Sequence, residues 1–123
     1  MAGGLMYGVP PDLPLDRFVG RECSLIGIGR FEIRFLFPDA GDIYVQGGWE
    51  IRDGSGGIVD RSLEHAARNC YRAHVILDSP VQRFVVEPPS SFTLYFENGF
   101  SLTIFDDSEQ FESFSIQPDG IYV

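Results

Sequence analysis

The sequence predicts a mainly β (α+β) fold: an antiparallel curled sheet or partly open barrel, made of two similar β-meander units with one central helix. Three observations predict it. Apolar residues alternate with polar ones in several short runs, the period of a half-buried strand. Gly-bearing turn clusters separate those runs at hairpin spacing. One stretch alone carries an apolar stripe of helical period.

The chain begins with a Gly- and Pro-rich segment, residues 1–14, which reads as a flexible N-terminal arm. Residues 15–123 form a single β-rich domain, long enough to bury a core without disulfides. Residues 23–28 make a first strand. In residues 31–37, Phe31, Ile33, Phe35 and Phe37 should point inward and Glu32 and Arg34 outward. The cluster Pro38-Asp39-Ala40-Gly41 turns the chain, because Pro presets φ and Gly accepts positive φ. Residues 42–45 return as the partner strand, Trp49-Glu50-Ile51 is another short strand, and residues 53–57 form a flexible loop.

Leu63, Ala66, Ala67, Cys70, Tyr71 and His74 then recur at helical spacing, with Asp60 or Ser62 as N-cap; Asp78-Ser79-Pro80 ends the segment, and the β-prone Val75-Ile76-Leu77 gives an alternative end near Arg72. Strands follow at residues 81–86, 92–96, 100–105 and 111–116, with an edge strand at 121–123.

The strongest local signal is the hairpin around Glu97-Asn98-Gly99. A two-residue Asn-Gly turn would pair Phe96 with Ser101 and send the two apolar sets to opposite faces. A three-residue loop pairs Phe92 with Ile104, Leu94 with Leu102 and Phe96 with Phe100, so that all six share one face. It requires Gly99 in the left-handed region, in a bulged turn. Residues 31–45 repeat the same pattern, which is the basis for two related meanders.

Composition limits function. The chain has 18 Asp and Glu against nine Arg and no Lys, a formal net charge of −9. Such a surface repels phosphate backbones and anionic bilayers and suits a basic protein. Neither nucleic acid nor membrane is an expected partner. No apolar run approaches the roughly 20 residues that span a bilayer, and no secretory leader is evident, so a cytoplasmic location is expected. Cys23 and Cys70 are expected to be buried thiols.

No stretch carries a catalytic signature. On a helix, Cys70 and His74 would share a face and His65 would not, which gives too few ligands for a metal. The same pair lacks a third orienting group for nucleophilic catalysis. The glycines at 27–29 and 54–57 do not have phosphate-loop spacing. No cofactor is expected.

Two charged groups remain as partner-binding sites. Asp106, Asp107, Glu109 and Glu112 form the densest acidic cluster. Arg61, His65, Arg68 and Arg72 form a basic helical stripe, which can anchor a partner or neutralise the protein's own carboxylates.

The order of Gly20-Arg21, a strand, the 31–45 hairpin, a Gly-rich loop, a helix, the 92–104 hairpin and Phe111-Glu112-Ser113 resembles small uncharacterised bacterial β-rich domains. Some of these lie near toxin–immunity loci. The resemblance implies a β-rich fold and a bacterial setting, and transfers no site residue. The expected function is a non-catalytic acidic protein-interaction module, immunity-like in binding a basic partner. The alternatives are a small-molecule-binding β-barrel-like protein and an enzyme of unrecognised type. A homodimer formed through terminal or edge strands such as residues 121–123 is a further expectation.

Overall fold

Among the described residues ten strands form, nine of them where the sequence predicts a strand and one, at residues 58–61, where it does not. They are β1 (Leu25–Ile28), β2 (Ile33–Phe37), β3 (Gly41–Val45), β4 (Trp49–Arg52), β5 (Ile58–Arg61), β6 (Val81–Glu87), β7 (Ser91–Phe96), β8 (Ser101–Phe105), β9 (Phe114–Gln117) and β10 (Ile121–Tyr122). The computed structural model describes residues 9–62, 70–106, 114–117 and 121–122. The strands make two five-stranded antiparallel sheets, ordered β1-β2-β3-β9-β10 and β5-β4-β8-β7-β6, and are not closed into a barrel.

The two meanders are topologically equivalent, and each sheet is completed by a hairpin from the other half. In the first sheet β9–β10 adds to the free side of β3; in the second, β4–β5 adds to β8. The registers match pair for pair. Ile33↔Val45 and Phe35↔Ile43 correspond to Phe92↔Ile104 and Leu94↔Leu102. Val45↔Phe114 and Ile43↔Ile116 correspond to Ile104↔Trp49 and Leu102↔Ile51.

The segments that lead into each meander cross one another in the same symmetric way. Val19 bridges Val81 and Leu77 bridges Cys23, both parallel, with Glu22↔Pro80 between them. The Gly20 N–H donates to the Val81 carbonyl (2.8 Å) and the Asp78 N–H to the Cys23 carbonyl (3.2 Å). Gly20 and Asp78 both have positive φ, at 85° and 63°.

The strand faces that the alternation marks as apolar meet in one core. Phe35, Ile43, Ile51, Phe92, Leu94, Leu102, Ile104 and Ile116 have no exposed surface. Two edge-to-face ring pairs join the sheets: Phe35 with Trp49 (6.1 Å between centroids) and Phe92 with Phe114 (5.1 Å). Each fully buried ring or branched side chain contributes about 1.5–3 kcal/mol by leaving water, and each ring pair about 0.5–1.5 kcal/mol more.

The 92–105 hairpin has the bulged three-residue loop. The Gly99 N–H donates to the Phe96 carbonyl (3.0 Å), the Phe96 N–H to the Phe100 carbonyl (2.9 Å), and Gly99 has φ 96°. Asn98 fastens this turn to the rest of the fold. Its Oδ1 accepts from the Phe100 N–H, its backbone N–H donates to Ser79 Oγ, and its Nδ2 donates to the Val75 carbonyl.

Several expectations are corrected. Phe31 lies outside β2 in the β1–β2 turn and is 78% exposed, because inward alternation begins only at Ile33, the first paired residue. Asp60, offered as an N-cap, and Arg61, placed on the helical stripe, instead belong to strand β5, paired with β4. Asp60 therefore lies inside a strand and is no N-cap, and the helix that Ser62 would cap lies outside the described residues. Ser62 Oγ accepts from the Trp49 N–H, and the Asp60 carboxylate accepts from the N–H groups of Arg61 and Arg72.

Most of the predicted central helix, residues 63–69, lies outside the described residues. Its C-terminal part is not α-helical: residues 70–72 are irregular and Ala73–Ile76 is a single 3-10 turn. The β-branched Val75 and Ile76 disfavour continuing an α-helix, and Ala73 and Ile76 are the buried pair. A second 3-10 turn, Asp16–Phe18, precedes the first meander. Of the N-terminal segment, Val9 and Leu13 are buried, and the Val9 N–H donates to the Pro89 carbonyl (2.8 Å). Residues 9–14 are thus a strap on the core.

Two glycines test the turns by different mechanisms. A Cβ on Gly99 would meet no atom within 4 Å, so Gly99→Val is strained by its φ alone. It should cost about 1–2 kcal/mol. A Cβ on Gly41 would lie 2.5 Å from the Gln117 carbonyl oxygen of β9. Gly41→Val should therefore lower the thermal midpoint more than Gly99→Val. Equal midpoints would contradict the β3–β9 pairing.

Candidate functional site

The residues singled out from the sequence do not converge on one centre among the described residues. Asp106 is half-buried just after β8, and its N–H donates to the Ser90 carbonyl (2.8 Å). Asp107, Glu109 and Glu112 lie outside the described residues, as do His65 and Arg68. Arg61 and Arg72 are both exposed, and Asp60 draws them together by accepting from both backbone N–H groups. The two ends of the basic stripe are thus neighbours, through a carboxylate and not through a shared helix face.

Cys70 and His74 are exposed instead of lying on a buried stripe, because no continuous helix links them. Cys23 is fully buried; its Sγ donates to the Leu25 carbonyl (3.5 Å), and burial pushes its thiol up to about 11. A thiol held protonated in this way is a poor nucleophile. Among the described residues, no three His, Cys, Asp or Glu side chains gather as a metal site. No helix among them is long and apolar enough to cross a membrane.

The arginines are extensively engaged by the protein itself. Their guanidinium groups stack on rings: Arg17 on Phe18, Arg30 on Phe31 (5.1 Å), Arg34 on Tyr44 (4.6 Å) and Arg83 on Tyr95 (3.8 Å). Glu32–Arg34 and Glu50–Arg52 form ion pairs. Both are two residues apart, the spacing that puts side chains on one strand face. Glu32 holds the Arg34 guanidinium above its usual range, first through its hydrogen bond and then through charge.

The loop at 53–57 is closed by one carboxylate. Asp53 Oδ1 accepts from Ser55 Oγ, the Ser55 N–H and the Gly57 N–H. The Ser55 hydroxyl, then the Gly57 and Ser55 N–H groups, hold Asp53 below the usual carboxylate range. These are loop-closing bonds within one hairpin.

A different feature stands out on the surface. Among the described residues strand β1 pairs only with β2 and forms the edge of its sheet. Around it Leu25 is 55% exposed, Ile28 45% and Phe31 78%. A shallow groove of about 440 Å³ lies beside it, lined by Gly27, Ile28, Gly29, Arg30, Phe31, Glu32 and Arg34. Assigning Phe31 to the core hides this patch in the sequence. The available signal was Leu25-Ile26-Gly27-Ile28, an apolar run without alternation, which does not fit a strand with one wet face.

No protein-family model, curated protein or solved structure matches the chain.

The two thiols should separate in a native Ellman titration: Cys70 reacts at once and Cys23 only after unfolding. Two fast thiols would contradict the burial of Cys23. The raised folded value also sets a pH dependence. The unfolded thiol ionises near its ordinary value of 9.0 and the folded one near 11, so Cys23's contribution to stability is complete below 9 and lost as pH rises between the two. Cys23→Ala should flatten that decline.

Asp53 works in the opposite direction. Its folded value is depressed, so its contribution is present above the unfolded value and lost as pH falls through the folded one. The Ser55 and Gly57 amide shifts should titrate below about pH 4, the ordinary carboxylate value. A midpoint above that would refute the loop closure.

Proposed function

We propose that the chain is a non-catalytic protein-interaction module that docks a basic partner protein. The carrying observation is the charge: 18 carboxylates against nine Arg with no Lys. The structure adds support, because Arg17, Arg30, Arg34, Arg52 and Arg83 are turned onto the protein's own rings and carboxylates. Asp39 and Glu97 are exposed on the equivalent β2–β3 and β7–β8 turns, and Asp78 and Glu87 are exposed as well. An approaching protein meets surplus negative charge, which speeds encounter with a basic surface and selects against acidic ones.

An immunity-like role, neutralising such a partner, fits this reading. So does a cytoplasmic setting, where Cys23 and Cys70 would stay as the free thiols the structure holds. The ligand-barrel alternative has less support. The rings it would use as a pocket lining, Phe35, Phe92 and Phe114, are packed on Trp49 and on one another.

The test is capture from an extract of the native host by the immobilised protein, at low and high salt. A basic protein should be retained at low salt and released as salt rises. Neutralising Asp106, Asp107, Glu109 and Glu112 to Asn or Gln should weaken retention if that cluster docks the partner. Recovery of no basic protein, or retention indifferent to salt, would overturn the proposal.

A further inference from the structure

The two sheets end in four edges, β1 and β10 in one and β5 and β6 in the other. Proteins normally blunt such edges with charge, bulges or brevity, because unpaired N–H and C=O groups recruit other strands. Three of the four are blunted. Strand β10 has only two residues. Strand β6 carries Arg83 and Glu87, with a register shift between Val81 and Arg83. Strand β5 carries Asp60 and Arg61, and its ladder shifts at Ile51/Arg52. Strand β1 reads Leu-Ile-Gly-Ile, with no charge and no proline; its irregularity lies before it, where the Ser24 N–H donates to the Leu36 carbonyl (3.0 Å).

Among the described residues the β1 edge is also open in its hydrogen bonding. The Gly29 N–H donates to the Glu32 carbonyl (2.8 Å), which makes that pair hydrogen-bonded. Bonded and non-bonded pairs alternate along an antiparallel ladder. Gly27↔Arg34 and Leu25↔Leu36 therefore bond across to β2, while Ile26 and Ile28 turn their N–H and C=O groups outward.

We propose that this edge binds a second copy of the chain, β1 against β1, antiparallel about a two-fold axis at Gly27. The edge is self-complementary in that register. Ile26 of each copy faces Ile28 of the other, so both outward residues of each strand are satisfied. Gly27 faces Gly27 as the non-bonded pair, where strands come closest, and neither side obstructs. Leu25 of each copy lies across from Gly29 of the other, and so beside the groove lined by Gly27, Gly29 and Phe31. An exposed leucine thus meets a gap left by two glycines, with Phe31 as its wall.

Charge favours the same arrangement. The antiparallel register brings the exposed Arg30 end of each strand toward the exposed Glu22 end of the other. This places opposite charges at both ends of an uncharged strand, on a molecule whose net charge of −9 otherwise opposes self-association. The contact is short compared with the roughly 800 Å² per partner of a standard stable interface, so the dimer is concentration-dependent. This inference does not rest on the proposed basic partner.

The test is sedimentation velocity of the full chain across a concentration series, with amide exchange measured at the same concentrations. A monomer–dimer equilibrium is expected, with Ile26 and Ile28 amides gaining protection as concentration rises. Leu25→Lys and, separately, Ile28→Lys should abolish both effects. Each position is already about half exposed, and unchanged far-UV circular dichroism will show that the fold persists. Sedimentation as a monomer at every concentration overturns the proposal. So does a dimer indifferent to both substitutions, or protection at Ile26 and Ile28 that does not depend on concentration. Protection conferred only by an added extended peptide would mean that the occupant is a foreign strand, and would likewise overturn it.

Discussion

Strands β3 and β8 each have one side closed by a hairpin from the other half of the chain, and the rest of the structure depends on that exchange. Without β9, Ile43 and Val45 would sit on an open edge; without β4, Leu102 and Ile104 would. The exchanged strands also carry the rings that join the sheets, Trp49 from β4 and Phe114 from β9. Loss of either hairpin would remove hydrogen bonds and core packing together. The crossing at Val19, Glu22, Cys23, Leu77, Pro80 and Val81 ties the entries of the two meanders as well. The two halves are therefore one cooperative unit, with the core between the sheets belonging to neither half alone.

The legible parts of the fold were those decided by short-range constraints. The 92–105 register followed from asking which loop length puts Phe92, Leu94 and Phe96 on the same face as Phe100, Leu102 and Ile104. The 31–45 pairing followed from the same pattern. The exchange of hairpins was not legible, because alternation marks which face of Trp49-Glu50-Ile51 is apolar and says nothing about which strand it joins. Phe31 was misplaced by extending a period of two one residue pair beyond the ladder. The stripe from Leu63 to His74 failed at its C-terminal end, where Asp60 binds the Arg72 N–H and a 3-10 turn buries Ala73 and Ile76. Tertiary bonds to a strand overrode a local period there.

The candidate sites were less legible than the fold, for a related reason. Charge can be counted in a sequence, but its disposition depends on what each group touches. Arg34 reads as a solvent-facing charge, yet it lies over Tyr44 on the adjacent strand, as Arg83 lies over Tyr95. Cross-strand neighbours of this kind are set by register. Their effect is to hold positive charge against the protein's own surface while Asp39, Asp78 and Glu97 stay exposed.

The internal two-fold also supplies a control that most proteins lack. Strands β1 and β6 occupy equivalent positions, each at the edge of its sheet beside the central strand of its meander. The fold makes the same demands on both: pair on one side, pack Ile26 or Phe84 toward the core, and face water on the other. Yet β6 has an arginine stacked on Tyr95 at the position where β1 has the exposed Leu25, and β1 has a glycine at its centre. A difference between equivalent positions cannot be ascribed to the architecture that makes them equivalent. Leaving β1 bare carries a standing risk of unwanted strand pairing, and the matching edge shows that the scaffold tolerates the usual protection. The exposed apolar edge is therefore a property of this sequence and not of its fold, which makes β1 the place where the symmetric framework is specialised.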